Sequence, residues 1–324
     1  MPTPTVGVVV NPAAGRDVRR LTGSASVSDT YGKRRAAECV LAGLDAVDEP
    51  VDAVFAPDSS RIGQRAVEEA DRSGVDVLDV EVEGTGADTR RAAAAFRETA
   101  DAVVTFGGDG TTRDLAVEIG DVPVIAVSTG TNNVVPTMAD GTVAGAAAAF
   151  VATGAAPADA VATRHTTVTA EAADGRSVRG LATVGLVDRS FVGTRAILDP
   201  DDFLGGMVSR ASRGDIGLSG IAGACTHLAP GTPRGIALDL DPDADLTVSA
   251  ITTPGVVEDV GVADWGRLDP DAERTFAVDE AVVSADGERE LAVQDTTIAV
   301  RPVADGPRIV DLDAVFERAP TIGE

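Results

Sequence analysis

The first 150 residues of this chain alternate short apolar runs with longer segments rich in Ala, Glu and Arg. Each apolar run has the length of a buried strand, and each longer segment repeats its apolar residues at helical spacing. This alternation predicts a parallel sheet with helices on both faces, which binds ligands at the carboxyl ends of its strands. The predicted strands are Val6 to Val10, Asp52 to Phe55, Val75 to Val82, Ala102 to Phe106 and Val124 to Val127. The predicted helices are Arg34 to Leu44, Arg61 to Arg72, Thr89 to Glu98, Thr112 to Ile119 and Thr142 to Ala156.

The pattern changes after Ala162, where short β-like runs follow one another directly. Turns such as Asp174-Gly175 and Asp286-Gly287 separate these runs, which favours an antiparallel second domain. A chain of 324 residues also exceeds the usual size of a single core, roughly 250 to 300 residues. The predicted strands in this half are Thr166 to Ala170, Val178 to Leu186, Gly235 to Leu240, Leu246 to Ile251, Ala277 to Val283 and Thr296 to Val303.

The segment from Thr105 to Asp114, which reads Thr-Phe-Gly-Gly-Asp-Gly-Thr-Thr-Arg-Asp, ends the fourth predicted strand in a loop of very small residues. Glycines let backbone N–H groups approach an anion, and Thr111 is expected to cap a helix that begins near Thr112. The loop therefore suits a phosphate. A carboxylate in such a cradle repels its ligand unless a cation or a proton transfer is involved, so we interpret Asp109 as a metal or base residue. The structural alternative is an Asp-Gly turn with an Asx bond.

Gly107-Gly108-Asp109-Gly110-Thr111 resembles the signature of the superfamily that unites NAD kinases, diacylglycerol and sphingosine kinases, and 6-phosphofructokinases. Asn11-Pro12-Ala13-Ala14-Gly15-Arg16 resembles the Asn-Pro-x-x-Gly turn of the diacylglycerol kinase and acetoin-catabolism X (AcoX) branches. Ser128-Thr129-Gly130-Thr131-Asn132-Asn133 is similar to the nucleotide-contacting Gly-Thr-x-Asn element of the same branches. The segments Leu21 to Ser24 and Gly84 to Thr89 look most like the AcoX-type, ATP-NAD kinase-like group.

The resemblance covers most of the chain, and it implies a NAD kinase-like α/β fold. An N-terminal Rossmann-like parallel α/β domain would bind the nucleotide, and a β-rich C-terminal domain would bind the substrate. We expect the first domain at residues 1–145 and the second at residues 146–303. The chain end, residues 304–324, is expected to pack back on the first domain.

The resemblance also implies roles for the motif residues. Asp109 would accept or orient the proton of the acceptor hydroxyl, and it would also influence Mg²⁺. Turn formation explains Asn132 and Asn133 equally well, and helix capping explains much of the Asp88-Thr89 pair. The residues expected to bind the nucleotide or its phosphates are Asn11, Pro12, Gly15, Gly107, Gly108, Gly110, Thr111, Thr129, Gly130, Thr131, Asn132, Asn133, Asp88 and Thr89.

In NAD kinases the acceptor is the adenosine 2′-hydroxyl of NAD. The segment Gly214 to Gly220 stands where those enzymes carry a Gly-Ser-Thr-Ala-Tyr stretch, although the tyrosine is missing here. Asp188 and Arg189 stand near the expected place of an Asn-Glu pair, and a surface ion pair is the alternative reading of the two. The substrate-binding candidates are Asp188, Arg189, Gly217 and Ser219.

The formal net charge of −25 at pH 7 excludes general nucleic-acid binding and disfavours anionic membrane surfaces, because like charges repel. Lys33 is the single lysine and aspartates recur along the whole chain, which resembles a halophilic cytosolic protein. No run reaches the ~18 apolar residues of a membrane span, and the N-terminus lacks a signal pattern, so we expect a cytoplasmic location. Cys39, Cys225, His165 and His227 lack the spacing of a metal site.

We therefore expect an ATP-dependent or polyphosphate-dependent small-molecule kinase that uses Mg²⁺, takes NAD as acceptor and forms a homodimer or homotetramer. The first alternative is a kinase for another hydroxyl, either lipid or sugar-like. A lipid acceptor is disfavoured because aromatic residues make up only 3% of the chain and its charge opposes membrane docking. The second alternative is a nucleotide-binding regulator without turnover. The carboxylate of Asp109 argues against it, because binding alone is better served without a negative charge in the loop.

Overall fold

The computed structural model of this chain describes residues 2–15, 29–130, 133–188, 202–270 and 272–320. Within these residues the strands form two sheets. The strands of the first sheet are β1 (Thr5–Val10), β2 (Asp52–Phe55), β3 (Val75–Val77), β4 (Ala102–Gly107), β5 (Pro123–Ser128), β6 (Ala162–Arg164) and β16 (Arg308–Val310). Those of the second are β7 (Thr167–Ala172), β8 (Ser177–Gly180), β9 (Thr183–Asp188), β10 (Phe203–Val208), β11 (Gly235–Leu240), β12 (Thr247–Thr253), β13 (Val256–Leu268), β14 (Arg274–Ala285) and β15 (Glu288–Val303). The described helices are α1 (Thr30–Leu44), α2 (Ile62–Glu68), α3 (Gly86–Thr99), α4 (Asp109–Ala116), α5 (Gly141–Ala152), α6 (Ala158–Val161), α7 (Leu218–Cys225) and α8 (Leu312–Arg318).

The first sheet has the strand order β3-β2-β1-β4-β5-β16-β6. Strands β1 to β5 run parallel to their neighbours, β16 runs parallel to β5, and β6 runs antiparallel to β16. The chain moves outward from β1 to β3 and then returns to the other side of β1 with β4 and β5. This reversal places a topological switch point between β1 and β4, which is where open α/β sheets bind their ligands.

Helices cover both faces of the first sheet, because neighbouring residues of a strand point to opposite sides. Val103 packs into one buried cluster with α3 and α4, whereas Val104 packs into another with α1 and α5. A Cβ atom at Gly7 would lie 2.8 Å from the ring of Phe96, so glycine here lets α3 approach the sheet. The helices α1 and α5 also meet closely, since a Cβ atom at Gly145 would lie 2.2 Å from the carbonyl oxygen of Val40.

The second sheet has the order β12-β13-β11-β10-β9-β14-β15-β7-β8, and its paired strands are antiparallel. The predicted α/β fold class, a parallel sheet followed by a β-rich region, is therefore confirmed. Helix α5 and strand β6 lie with the first sheet, so the chain leaves that sheet after residue 164. It returns as β16 and α8, and Val315 of α8 is buried in the same cluster as β1. The boundaries at residues 145 and 303 stay a prediction.

Among the described residues, no helix is long and apolar enough to cross a membrane.

Candidate active site

A cleft opens at the carboxyl ends of the parallel strands of the first sheet. The loops that follow β1, β2, β3, β4 and β5 line it, together with the turn between β14 and β15, and its volume is about 370 Å³. Small-molecule sites typically enclose ~300 to 1,000 Å³. Because the sheet order reverses between β1 and β4, the loops after these two strands face each other across the cleft.

The loop after β1 contains Asn11, Pro12 and Gly15, and all three residues line the cleft. The side chain of Asn11 has two contacts that fix this loop. Its Oδ1 accepts a hydrogen bond from the N–H of Ala13 at 2.8 Å, and its Nδ2 donates to Oγ1 of Thr111 at 2.8 Å. Asn11 therefore stabilises its own turn and joins it to the glycine loop after β4.

The glycine loop after β4 is tightly packed against two neighbouring side chains. A Cβ atom at Gly107 would lie 2.4 Å from Cβ of Thr111, and one at Gly108 would lie 2.7 Å from Oδ1 of Asn133. Real Cβ atoms do not approach so closely, so position 107 requires glycine, whereas a side chain at position 108 would displace the amide group of Asn133. Gly108 and Gly110 line the cleft, and Gly107 lies directly behind them at the end of β4.

The prediction that Thr111 caps a helix beginning near Thr112 was wrong. Helix α4 begins at Asp109, its N-cap is Gly108, and no side chain caps it. The N–H of Thr112 donates to the carbonyl oxygen of Gly108 at 3.0 Å. The preceding N–H groups of α4, those of Asp109, Gly110 and Thr111, have no acceptor within the helix. A glycine N-cap leaves these groups available to an anion in the cleft.

The loop after β5 supports the glycine loop from the other side. Asn133 donates from Nδ2 to Oγ of Ser128 at 2.5 Å, and the N–H of Thr129 donates to the carbonyl oxygen of Gly107 at 2.9 Å. Gly130 and Asn133 line the cleft, whereas Thr129 is buried beneath it. Thr131 and Asn132 were also predicted to bind the nucleotide, and they lie outside the described residues.

Asp88 and Thr89 line the cleft near the start of α3. The expectation that one of them caps a helix was wrong, because α3 begins at Gly86 and Thr85 is its N-cap. The carboxylate of Asp88 instead accepts the N–H groups of the two residues that precede Thr85, at 2.8 and 2.7 Å. Asp88 thus stabilises the loop after β3. Because it also lines the cleft, its contact with the nucleotide stays a prediction.

Asp109 is buried at the start of α4, and the surrounding peptide groups hold its carboxylate firmly. Oδ2 accepts the N–H of Val134 at 2.8 Å, and Oδ1 accepts the N–H of Val135 at 2.9 Å. Burial, reinforced by repulsion from Asp286, raises the pKa of Asp109 to about 7, against the opposing effects of both N–H groups and Arg210. The site therefore contains a carboxyl group that exchanges its proton near neutral pH.

Asp286 brings the second sheet to the cleft. It occupies the turn between β14 and β15, and its carboxylate accepts the N–H groups of Leu181, Ala182 and Thr183 at 2.8 to 3.1 Å. Burial raises its pKa, while the guanidinium of Arg113 on α4, 3.6 Å away, opposes that shift. Two buried carboxylates, one from each sheet, thus lie in the lining of one cleft.

Arg210 connects the second sheet to the segment that holds Asp109. Its Nη1 donates to the carbonyl oxygen of Val134 at 2.7 Å, and its Nη2 pairs with Oδ1 of Asp215 at 3.0 Å. The peptide group of Val134 is therefore fixed on both sides, by Asp109 at its N–H and by Arg210 at its carbonyl. Val134 and Val135 pack in one buried apolar cluster with the Leu181 segment that Asp286 holds.

The predicted substrate-binding residues are not part of this cleft lining. Asp188 ends β9, Gly217 precedes α7 with a φ of +66°, and Ser219 is fully buried within α7. Arg189 lies outside the described residues. The assignment of these four residues to the acceptor site stays a prediction. Within the described part of the chain, no group of three or more His, Cys, Asp or Glu side chains is arranged to hold a metal ion.

Several residues of the cleft were not predicted from the sequence. Asp58 and Ser59 follow β2, and the rule that ligands bind at the carboxyl ends of strands would have identified them. Glu288 follows the Asp286 turn, and a Cβ atom at Gly110 would lie 3.6 Å from its Oε1. The approach of this turn to α4 joins residues more than 170 positions apart, and no local pattern predicts such a contact.

A Rossmann-like first sheet with a Gly-Gly-Asp-Gly-Thr loop, combined with a large antiparallel sheet, defines the NAD kinase-like class of phosphotransferases. Residues 6–155 match the family model of the ATP-NAD kinase N-terminal domain, and residues 165–305 match that of the acetoin catabolism protein X C-terminal domain. Acetoin catabolism protein X of Cupriavidus necator is 31% identical over 333 residues, which cover 98% of this chain and 92% of that protein. The chain belongs to the acetoin catabolism protein X family, and the resemblance inferred from its motifs is confirmed.

Two solved structures are similar to this chain. Yeast NADH kinase complexed with NADH superposes with a TM-score of 0.51 at 12% identity, covering 99% of this chain and 85% of that one. A diacylglycerol kinase from Bacillus anthracis str. Sterne gives a TM-score of 0.40 at 12% identity, covering 96% and 97%. The first likeness supports the fold. The N-terminal domain type makes the protein a phosphotransferase that acts on a hydroxyl group.

Proposed function

We propose that this protein is an ATP-dependent or polyphosphate-dependent kinase that phosphorylates the adenosine 2′-hydroxyl of NAD to give NADP. The observation that carries the proposal is the position of Asp109. It is a buried carboxyl group with a pKa of about 7, at the first turn of a helix whose N-terminus lines a glycine-rich cleft. A base in this pKa range suits a proton transfer at neutral pH.

The glycine loop would bind the donor phosphates through the N–H groups of Asp109, Gly110 and Thr111 at the start of α4. Asp109 would accept the proton of the acceptor hydroxyl while the oxygen of that hydroxyl attacks the terminal phosphorus. The bond from this phosphorus to the bridging oxygen breaks, and the leaving phosphate keeps the electron pair. Each oxygen of Asp109 accepts one N–H and retains a second lone pair. The carboxylate can therefore accept the hydroxyl proton while it keeps both hydrogen bonds to the backbone.

The chemistry of the cleft also fits Mg²⁺. This ion is usually bound by one or two carboxylates together with substrate phosphates, rather than by a cage of protein ligands. Glu288 lines the cleft beside α4 and its carboxylate would hold the ion, whereas that of Asp114 is paired with Arg90 at 2.6 Å. Bound Mg²⁺ would neutralise the charge of the donor phosphates.

The identity of the acceptor is the most specific part of the proposal. The relative in Cupriavidus necator is named for acetoin catabolism, whereas the N-terminal family model and the yeast structure are named for NAD and NADH kinases. NAD is favoured over a lipid because the net charge of −25 opposes docking to anionic membranes. Cytoplasmic location, adaptation to high salt and assembly as a homodimer or homotetramer stay predictions from the sequence.

The decisive experiment is a phosphoryl-transfer assay in high KCl with Mg²⁺, with ATP or polyphosphate as donor and NAD, NADH or diacylglycerol as acceptor. We expect NADP from NAD. The variant Asp109→Asn should lower kcat by ~10² or more, the scale of losing a general base, while it leaves the Kd for MgATP unchanged. Asp243→Asn, at an exposed turn, is the matched control and should keep full activity.

Three outcomes would contradict the proposal. Transfer to diacylglycerol alone would favour the lipid alternative, and binding of MgATP without any transfer would favour a regulator. Full turnover by Asp109→Asn would remove the role assigned to this carboxylate.

A further inference from the structure

Lys33 lies on α1 behind the loop that follows β1, and its side chain is 1% exposed. Its ammonium group donates two hydrogen bonds to that loop, one to the carbonyl oxygen of Ala14 at 2.6 Å and one to that of Pro12 at 3.1 Å. Pro12 and Ala14 line the cleft, whereas Lys33 does not. The lysine therefore holds the cleft-forming loop from the buried side.

These two contacts determine where the N–H groups of the loop point. In a trans peptide the N–H and the preceding C=O point in opposite directions. Because the carbonyl of Ala14 points at the ammonium, the N–H of Gly15 points away from Lys33, and Gly15 itself lines the cleft. Gly15 has a φ of +74°, a conformation that favours glycine. Gly15 and the first residues of α4 line the same cleft.

The identity of the residue supports a specific role. Lys33 is the single lysine among 27 basic residues, so arginine serves at every other cationic position of the chain. An ammonium group is a compact charge with three donors, whereas guanidinium is a planar fork that suits carboxylates and phosphates. Two carbonyl oxygens that converge in a buried space suit the compact ammonium group better than a planar guanidinium group.

The charge of Lys33 has a second effect. The cleft lining contains several acidic side chains, among them Asp58, Asp88 and Asp114. A positive charge buried behind the loop opposes the field of these carboxylates. It thereby makes the loop more favourable for a polyanion.

We propose that Lys33 is a positioning residue for the phosphoryl donor, because it orients the Asn11–Gly15 loop so that the N–H of Gly15 binds a donor phosphate. This inference rests on the proposed function. It adds to that function a residue that does not touch the ligand and acts through the backbone of the loop. It also predicts that the effect concerns the donor and leaves the acceptor unaffected.

The test compares wild type with Lys33→Met, whose unbranched side chain is one atom shorter and lacks the charge and the donors. Calorimetric titration in high KCl with MgATP, and separately with magnesium tripolyphosphate, measures donor binding. We expect Kd for both probes to rise about tenfold to a hundredfold, the scale of a lost hydrogen bond to a charged group. In the transfer assay the KM for ATP should rise, whereas kcat and the KM for NAD should stay near wild type.

Arg72→Met is the matched control. Arg72 also donates to two backbone carbonyls, those of Leu41 and Val51, near the carboxyl-terminal end of α1 and outside the cleft lining. Its loss should lower the melting temperature without changing the Kd of either probe. A rise of Kd in Arg72→Met equal to that in Lys33→Met would show a purely structural effect and overturn the inference.

Lys33→Arg is the second variant. It keeps the positive charge, and it provides the test if Lys33→Met does not fold. We expect it to weaken donor binding in the same direction, because the planar fork cannot reproduce both contacts. Wild-type affinity for both probes in either Lys33 variant would overturn the inference and leave the proposed function standing. Wild-type protein that binds neither probe would instead overturn the proposed function, and this inference with it.

Discussion

The raised pKa of Asp109 predicts that the protein loses stability as the pH rises from about 4 to about 7. The ordinary pKa of this carboxyl group is 3.8, and burial raises it to about 7 in the folded protein. Between these values the folded state keeps a proton that the unfolded chain has released. Each pH unit in this window therefore lowers the free energy of unfolding by up to about 1.4 kcal/mol, or on the order of 4 kcal/mol in all. The contribution is complete below the ordinary pKa and lost above pH 7.

The assay is urea unfolding of wild type and Asp109→Asn at several pH values between 4 and 8, at one fixed KCl concentration. Asparagine does not titrate, so the difference between the two curves reports the proton of Asp109 together with its coupling to Asp286, apart from the repulsion among the other acids. The free energy of unfolding of wild type should fall more steeply than that of the variant, by up to about 1.4 kcal/mol per pH unit. Above pH 7 the two curves should run parallel.

Asp243→Asn removes one carboxylate from an exposed turn and should follow wild type throughout. Parallel curves for wild type and Asp109→Asn between pH 4 and 7 would refute the reasoning, because the buried carboxyl group would then titrate alike in both states. A steeper curve for Asp109→Asn than for wild type would refute its sign.

Three further predictions concern the glycine loop, the contact between the sheets and the surface charge. Gly108→Ala places a methyl group 2.7 Å from Oδ1 of Asn133 and should weaken MgATP binding about tenfold by calorimetry, whereas Gly266→Ala, with no atom within 4 Å, should not. Arg210→Met leaves the buried carboxylate of Asp215 without its ion-pair partner and should lower the free energy of unfolding by about 3 kcal/mol in urea, and an unchanged value would contradict this. Diluting KCl should lower the melting temperature, because carboxylate repulsion is screened over ~3 Å at 1 M salt and ~10 Å at 0.1 M. A melting temperature that rises on dilution would be inconsistent with this.

Much of the fold could be predicted from local patterns. The predicted bounds of β2 (Asp52–Phe55) and β11 (Gly235–Leu240) equal those of the structure, because each is a compact apolar run between turn residues. Strand β3 is shorter than predicted and ends at Val77, where the acidic residues that follow leave the sheet edge. Strand β10 was missed because its two central glycines are typical of a loop. In the structure, a Cβ atom at Gly206 would lie 2.2 Å from the carbonyl oxygen of Val184.

The residues of the candidate site likewise fall into those that local motifs predict and those that only the tertiary fold brings together. The loops after β1, β4 and β5 carry motifs, so their residues could be identified before any geometry was known. The start of α4 was misplaced because the hydroxyl of Thr111 was expected to cap the helix, whereas the N-cap is Gly108, a residue that is about as favourable as threonine at this position. Asp286, Arg210 and Lys33 were not assigned to the site, because their roles depend on contacts that only the tertiary fold creates.

Strand β16 has a consequence for the order in which the molecule can assemble. It pairs with β5 on one side and β6 on the other, so the first sheet is completed by residues near 309, long after β5 has been synthesised. The carboxyl-terminal half of β5 pairs locally with Thr137, but during translation its edge at Pro123 and Val124 stays unpaired while the whole second sheet is made, and unpaired edges recruit other chains. A fragment that stops before residue 300 would keep this edge open and should aggregate. The first sheet therefore cannot be completed until the second sheet has been synthesised, even though the two sheets are separate.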